Sequence, residues 1–179
     1  MTATFVALLR GVNVGGRNRL PMEDLRRIAE GCGLRDPRTY IQSGNLVFAC
    51  DDPDAAGVAV RLQESILAGA GVDSRVVVRG RAQLERVVAE DPFPDADPAH
   101  RHVTFLFHPA PPGALDSLDA DAYAPERAAI AAGELHLHLP GGFGRSRLAA
   151  DLARRQDLAG TTRNWRTVTA LLAIASGDA

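Results

Sequence analysis

The order of strand and helix patterns in the first ninety residues constrains the fold more than any other feature of this sequence. The strand patterns cover residues 4–9, 38–42, 46–50 and 74–79. The helical patterns follow Pro21, run from Pro53 to about Ala68, and cover 81–90. The middle two strands flank Ser43-Gly44-Asn45, a tight-turn signal that indicates a hairpin. This β-α-β-β-α-β order predicts a ferredoxin-like half, an antiparallel sheet with helices packed on one face.

The remaining chain predicts a second, related α+β half. Residues 91–98 are rich in Pro and Asp and lack periodicity, which is typical of a linker, so we place the halves at 1–92 and 99–179. The second half has strand patterns at 102–108, 126–131 and 134–139, and helical patterns at 113–118, 146–156 and 164–175. Its β-α-β-β-α-α order is an incomplete copy of the first. In ELHLHLP the alternation predicts leucines facing inward and histidines facing solvent.

Charge and composition exclude several classes of protein. All 20 basic residues are arginine, which excludes a Schiff-base lysine, a P-loop lysine and a Ser–Lys dyad. The net charge is +3 for residues 1–50, −8 for 51–140 and +3 for 141–179, so both ends are basic. No apolar run approaches the ~20 residues that span a bilayer. The N-terminus lacks a signal-peptide pattern, and Cys32 and Cys50 are too few for a disulfide framework, so we predict a cytoplasmic protein.

Four short motifs at predicted turns and loop–helix junctions are rich in Gly, Arg, Asn, Ser or Thr: RGVNVGGRNR at 10–19, YIQSGN at 40–45, GGFGRSRL at 141–148 and TTRNW at 161–165. In the first, glycines let backbone N–H groups converge while Arg10, Arg17 and Arg19 add positive charge, as in an anion nest. The alternative is a loop that needs glycine only for its backbone angles.

Two helix starts are predicted from the later motifs. Ser146 is expected to cap one helix, and Thr161 or Thr162 the last helix. Arg163 and Asn164 would then stand in the first turn, where the charge of Arg163 opposes the helix dipole and costs stability unless a carboxylate or a bound anion compensates.

The leading hypothesis is that these motifs converge in a cleft between the halves and bind a phosphorylated small molecule or a nucleotide. The predicted ligand-binding residues are Arg10, Asn13, Gly15, Gly16, Ser43, Gly44, Asn45, Gly144, Arg145, Ser146, Thr162, Arg163 and Asn164. The sequence identifies no general base and no cofactor, and it leaves open both catalysis and the oligomeric state.

Two other classes of function stay open. A nucleic-acid-binding module would present Tyr40 and Phe48 to bases, although aromatic residues are only 5% of the chain and the net charge is −2. A structural or interaction protein would use the motifs only as turns and caps. The pairs His100-X-His102 and His136-X-His138 would form a metal site if adjacent strands brought them together, but solvent-facing histidines are commoner, so we predict no metal.

The four motifs, in this order, resemble those of the bacterial family called domain of unknown function 1697. The matching segments are Leu8 to Gly16 with Pro21, Met22 and Leu25; RTYIQSGNLVF at 38–48; GRSRL at 144–148; and TTRNWRTV at 161–168. Arg147 stands where the family usually has Lys, and Arg166 where it usually has Asn. The resemblance spans nearly the whole chain and implies an α+β fold of two related halves. It implies no activity.

Overall fold

The computed structural model describes residues 2–178 and divides the chain into two compact units. The first unit runs to Leu84 and includes the chain from Ala170 onward, and the second is Glu85–Thr169. The division between these units lies inside a helix, Arg81–Ala89. The last helix, Trp165–Ser176, also belongs to both units. Of the described helices, none is both long and apolar enough to cross a bilayer.

The first unit is a four-stranded antiparallel sheet with the strand order β2-β3-β1-β4. Its strands are β1 (Ala3–Leu9), β2 (Arg35–Thr39), β3 (Asn45–Cys50) and β4 (Val76–Gly80). Its helices are α1 (Met22–Gly31), α2 (Ala55–Ala70) and the start of α3 (Arg81–Ala89). In α2, Val58, Leu62 and Ile66 repeat every four residues and are completely buried, so one face of the helix joins the core.

The second unit repeats this arrangement with the strand order β6-β7-β5-β8. Its strands are β5 (Arg101–Leu106), β6 (Arg127–Ala131), β7 (Glu134–His138) and β8 (Gly160–Asn164). Its helices are α4 (Ala120–Tyr123), α5 (Arg147–Ala153) and the start of α6 (Trp165–Ser176). The predicted α+β fold of two related halves with antiparallel sheets is confirmed.

The strand β8 makes the second copy complete and corrects the predicted position of TTRNW. Residues 160–164 pair with β5 along its length, from Leu106 opposite Gly160 to His102 opposite Asn164. The strands approach so closely that a Cβ at Gly160 would lie 2.2 Å from the carbonyl oxygen of Phe105. The prediction that Arg163 occupies a helical first turn is therefore wrong. Helix α6 begins only at Trp165, and neither Thr161 nor Thr162 caps it.

Buried polar groups explain two further differences from the sequence prediction. His136 is 1% exposed, so β7 does not turn all its histidines to solvent. In the predicted linker, Asp91 lies beside buried Arg101, and Phe93 is itself buried. Residues 91–93 therefore pack against the second unit. The buried charge of Arg101 needs a carboxylate beside it, and Asp91 supplies that carboxylate.

Two smaller expectations also differ from the structure. The segment 113–118, predicted as a helix, forms turns. Phe48, a predicted base-stacking residue, is 1% exposed and stacks on Phe5 at a ring-centroid distance of 5.9 Å. Its ring therefore belongs to the hydrophobic core.

Replacing Gly44 with alanine is expected to lower the free energy of unfolding by about 3 kcal/mol. Gly44 has φ +73°, and an added Cβ would lie 2.5 Å from Val12 Cγ2 and 2.8 Å from Leu9 Cβ. Gly15→Ala is the matched control, because Gly15 also has a positive φ, +58°, but meets no atom within 4 Å. Its expected loss is about 1–2 kcal/mol. Chemical denaturation measures both, and equal losses would contradict the steric argument.

Candidate functional site

The first two motifs lie at the same end of the first sheet. Leu8 in β1 pairs with Asn45 at the start of β3, and Leu9 pairs with Val76 at the start of β4. Because all three strands are antiparallel neighbours, the loops 10–21, 40–44 and 71–75 emerge together. The structure thus brings RGVNVGG and YIQSGN into one place.

The side chain of Asn13 fastens two of these loops to each other. Its Nδ2 donates to the carbonyl oxygens of Leu20, at 2.9 Å, and Gln42, at 2.7 Å. Its Oδ1 accepts the N–H of Leu20 at 2.8 Å. Asn13 takes φ 55°, a left-handed conformation that asparagine tolerates better than most residues. The amide of this predicted ligand residue therefore serves the scaffold with both its oxygen and its nitrogen.

The hairpin loop is shaped by Asn45, which is completely buried. Its Nδ2 donates to the carbonyl oxygen of Tyr40 and to Ser43 Oγ, each at 3.0 Å. Gly44, between them, has the steric requirement given above. The structure therefore brings Ser43, Gly44 and Asn45 together. The Asn45 side chain links the start of the loop, at Tyr40, to its end, at Ser43.

The tip of the first loop is a tight turn that displays positive charge. Val14 and Arg17 form an isolated antiparallel bridge around Gly15 and Gly16, which have φ values of 58° and 75°. Residues 10–22 contain no carboxylate, and Arg10, Arg17 and Arg19 are exposed. Among the described residues, no carboxylate oxygen lies within 4 Å of the guanidinium of Arg17 or Arg19.

Two exposed apolar residues accompany these arginines, and sequence reasoning missed both. Val14 is 64% exposed and Ile41 is 52% exposed. Ile41 has φ 49°, an unusual conformation for a β-branched residue. The sequence pattern gives no sign of this backbone angle, and it placed Ile41 in a predicted strand. The hydrogen bond from Asn13 to Gln42 joins the two loops that carry these side chains.

The third and fourth motifs approach each other in the second unit. Asn164, at the end of β8, is paired with His102, and the His102 ring lies 5.3 Å from the ring of Phe143. Phe143 is followed by Gly144 and Arg145, both exposed. The loop 141–146 and the end of β8 therefore both lie beside His102.

Ser146, Thr162 and Asn164 each have a hydrogen-bonding role within the second unit. Ser146 Oγ accepts the N–H of Ala149 at 2.9 Å and caps α5, as its sequence position predicts. Asn164 Oδ1 accepts the N–H of Thr167 at 2.8 Å and so caps α6. Thr162 Oγ1 lies 2.8 Å from Thr104 Oγ1.

Arg163 is buried on β8. Its Nη1 donates to Thr161 Oγ1 at 2.8 Å and to the carbonyl oxygen of Thr162 at 2.9 Å. Burial lowers its pKa to about 10, so it remains charged at neutral pH. The sequence predicted Arg163 at a helix N-terminus that is open to a ligand, whereas the structure buries it within a strand.

A buried polar cluster, Asp91 with Arg101, His136 and Trp165, was also missed by sequence reasoning. Arg101 Nη1 donates to Asp91 Oδ2, and the Arg101 guanidinium carbon lies 4.6 Å from the Trp165 ring centroid. His136 Nδ1 lies 3.7 Å from Asp91 Oδ1. Burial lowers the pKa of His136 and so favours the neutral imidazole, and this effect outweighs the attraction of Asp91, which favours the charged form.

Two nitrogen atoms of this cluster, His136 Nε2 and Arg101 Nε, are buried, and neither has a hydrogen-bond partner among the described residues. The signal that could have revealed the cluster is the acidic residue Asp91 in a segment with no periodicity, and that signal is weak.

Within residues 2–178, no group of three or more His, Cys, Asp or Glu side chains could hold a metal ion. The two HxH pairs lie on the paired strands β5 and β7 or immediately before them, with Arg101 opposite His138. Arg101 and its partner Asp91 lie among these histidines.

Asn13→Ala is expected to lower the free energy of unfolding by about 2 kcal/mol, because three hydrogen bonds between loops are lost. Asn18→Ala is the matched control. Asn18 also has a positive φ, 49°, but its exposed side chain donates only to the carbonyl oxygen of Gly11, at 3.1 Å. Its expected loss is about 1 kcal/mol. Denaturant unfolding compares them, and a loss in Asn13→Ala no greater than in Asn18→Ala would contradict the fastening role.

The free energy of unfolding is expected to fall as the pH drops below about 6.5, the ordinary histidine pKa. Since burial lowers the pKa of His136, the unfolded chain binds a proton that the folded chain refuses. This group contributes at most about 1.4 kcal/mol per pH unit. His136→Gln should flatten the pH slope, whereas exposed His108→Gln should not. Urea titrations between pH 7.5 and 5 measure the slopes, and identical slopes for wild type and His136→Gln would refute the assignment.

Comparison with known proteins places the chain in a family. A solved structure, that of the conserved bacterial protein SP0830 from Streptococcus pneumoniae, is similar to it with a TM-score of 0.73. The two are 20% identical, and the match covers 98% of this chain and 99% of that one, which supports the fold. Among curated proteins, none matches this sequence. The family model described as "Protein of unknown function (DUF1697)" matches residues 1–136, and the chain belongs to this family.

Proposed function

We propose that this protein binds a phosphorylated small molecule or a nucleotide through the loops 10–21 and 40–44. The observation that carries the proposal is the pair Arg17 and Arg19, both exposed and without a carboxylate within 4 Å among the described residues. They follow the Gly15-Gly16 turn on a loop that Asn13 holds in place.

The chemistry of the loop supports an anionic ligand. Successive residues with left-handed backbone angles, here Gly15 and Gly16, can turn their N–H groups toward one anion. A guanidinium can form two parallel hydrogen bonds to a phosphate, which gives both affinity and orientation. The neighbouring loop 71–75 adds Arg75 and one acid, Asp73, so the surface keeps a positive balance.

The proposal is for binding rather than for a named reaction. Loop 40–44 contains the hydroxyl groups of Tyr40 and Ser43, but neither it nor loop 10–21 contains an Asp, Glu or His that could act as their general base. We also propose a cytoplasmic location, because Cys32 and Cys50 are free thiols.

We extend the proposal to the second unit, where Gly144, Arg145, Ser146, Thr162, Arg163 and Asn164 would contribute to binding of the same ligand. Support comes from their composition and from the meeting of the two motifs beside His102. A double-mutant cycle of Arg17→Gln with Arg145→Gln, read as affinity for the bound phosphate compound, tests this extension. Additive losses would count against a shared ligand.

A nucleic-acid-binding sheet is less well supported. Val6, Leu8, Val47 and Val77 are all less than 5% exposed, so the sheet face that bears them is closed. Together with buried Phe48, this leaves the first sheet without the aromatic platform on which RNA-binding domains of similar order stack bases.

Thermal shift and calorimetric titration test the proposed function. The probes are inorganic phosphate, AMP, glucose 6-phosphate, and short single-stranded RNA and DNA, each at two salt concentrations. One phosphate compound should raise Tm by several degrees. The double variant Arg17→Gln/Arg19→Gln should weaken its binding by at least about tenfold, since charge-assisted contacts are lost.

The matched control is Arg38→Gln, an exposed arginine on β2 of the same unit, which should bind as wild type does. Binding that survives in the double variant would contradict the loop assignment. No stabilisation by any probe would contradict the proposed function and favour a structural protein. Binding of nucleic acid alone, with steep salt dependence, would favour the nucleic-acid alternative.

A further inference from the structure

We propose that an open pocket in the second unit, separate from the loops above, binds a small aromatic carboxylate. The pocket has a volume of about 690 Å³, within the range of small-molecule sites. Its apolar wall is formed by Phe93, Leu118, Ala120, Tyr123, Pro125 and Leu148.

Several parts of the second unit build this pocket. The chain from α4 to the start of β6 supplies most of the lining, and α5 contributes Leu148. Strand β7 contributes His138, whose backbone is paired with Arg127 of β6. Phe93 comes from the segment 91–98, which is anchored beside Arg101 by Asp91. The pocket therefore depends on the packing of segment 91–98, which the sequence predicted to be a linker.

Arg127 is the polar group that would fix the ligand. Its guanidinium carbon lies 4.8 Å from the Phe93 ring centroid. Its Nε and Nη2 lie 3.4 and 3.3 Å from His138 Nδ1. Burial, and secondarily the charge of Arg127, lower the pKa of His138, so the imidazole is neutral and accepts a hydrogen bond there. Because a guanidinium has five N–H donors, Arg127 keeps donors for a carboxylate.

None of the acidic residues that line the pocket forms an ion pair with the Arg127 guanidinium. They are Asp121 and Glu126, and Asp95 lines an adjoining pocket of about 360 Å³ with Arg127. Glu126 Oε2 accepts the N–H of Leu148 at 3.0 Å, at the first turn of α5. No carboxylate among the described residues lies within 4 Å of the Arg127 guanidinium.

The walls favour an aromatic body for this anion. Phe93 and Tyr123 line the pocket, although a guanidinium lies over one face of each ring. Aromatic rings pack on one another in offset or edge-to-face geometry, so a ring edge is enough for contact. A carboxylate on such a ring would meet Arg127, with the ring held on the apolar wall. An acid without an apolar body would leave that wall in water and gain little.

The test is calorimetric titration with 2-naphthoate, 2-naphthamide and acetate. Naphthoate should bind, and the uncharged amide should bind about tenfold or more weakly, because it cannot form the charge-assisted pair. Acetate should show no binding. Arg127→Gln should weaken naphthoate binding to the level of the amide. Ala120→Trp, an exposed change that fills the pocket, should abolish it.

Two controls separate this site from the loops. Arg166→Gln, at an exposed position of the same unit, and the double variant Arg17→Gln/Arg19→Gln should both bind naphthoate normally. Loss of naphthoate binding in the loop variant would place the ligand at the loops and overturn the proposal. No binding to wild type would overturn it too, as would equal affinities in wild type, Arg127→Gln and Ala120→Trp. The outcome of the naphthoate titration does not depend on whether the phosphate probes bind at loops 10–21 and 40–44.

Discussion

The side-chain amide of Asn13 is the interaction on which the candidate loops depend. Its three hydrogen bonds join the chain just after β1, the residue before the turn into α1, and the hairpin between β2 and β3. Leu20, which uses two of them, is completely buried, so its backbone groups need partners inside the protein. With the backbone tied down there, the tip that carries Gly15, Gly16 and Arg17 is held at a fixed position. A side chain that the sequence predicts to bind a ligand thus shapes the loop that would meet one.

The two units share a strand order but place their motifs at opposite ends of their sheets. In the first unit, the motifs lie where β1 ends, beside the starts of β3 and β4. In the second, they lie where β5 begins, since Arg101 faces His138 and His102 faces Asn164. The connection from β5 to α4, residues 107–119, contains one glycine, Gly113, and no arginine. The repeat therefore conserves an architecture without repeating the motifs at the same end of the sheet.

The sequence predicted the first unit well because its core residues follow clear periods, such as Val58, Leu62 and Ile66 in α2. It failed at β8 and β7 for one physical reason. Arg163 and His136 are polar residues that are buried, and alternation rules assign such residues to solvent. Their burial depends on partners that are distant in sequence, such as Asp91 for His136. For the site, composition identified the glycine and arginine loops, but the hydrogen bonds of Asn13 and the exposure of Ile41 follow only from tertiary structure.

The exclusive use of arginine has structural consequences in the second unit. Arg101, Arg127 and Arg147 lie over the rings of Trp165, Phe93 and Tyr123, with guanidinium carbons 4.6, 4.8 and 5.2 Å from the ring centroids. A planar guanidinium can stack on a ring and still donate hydrogen bonds at its edge, as Arg147 does to the carbonyl oxygen of Ala122. Arg163 retains a pKa of about 10 despite its burial. A lysine starts from a lower ordinary pKa, so the same burial would bring its pKa closer to physiological pH. Arginine therefore keeps full charge at positions where the fold has already removed most of the water.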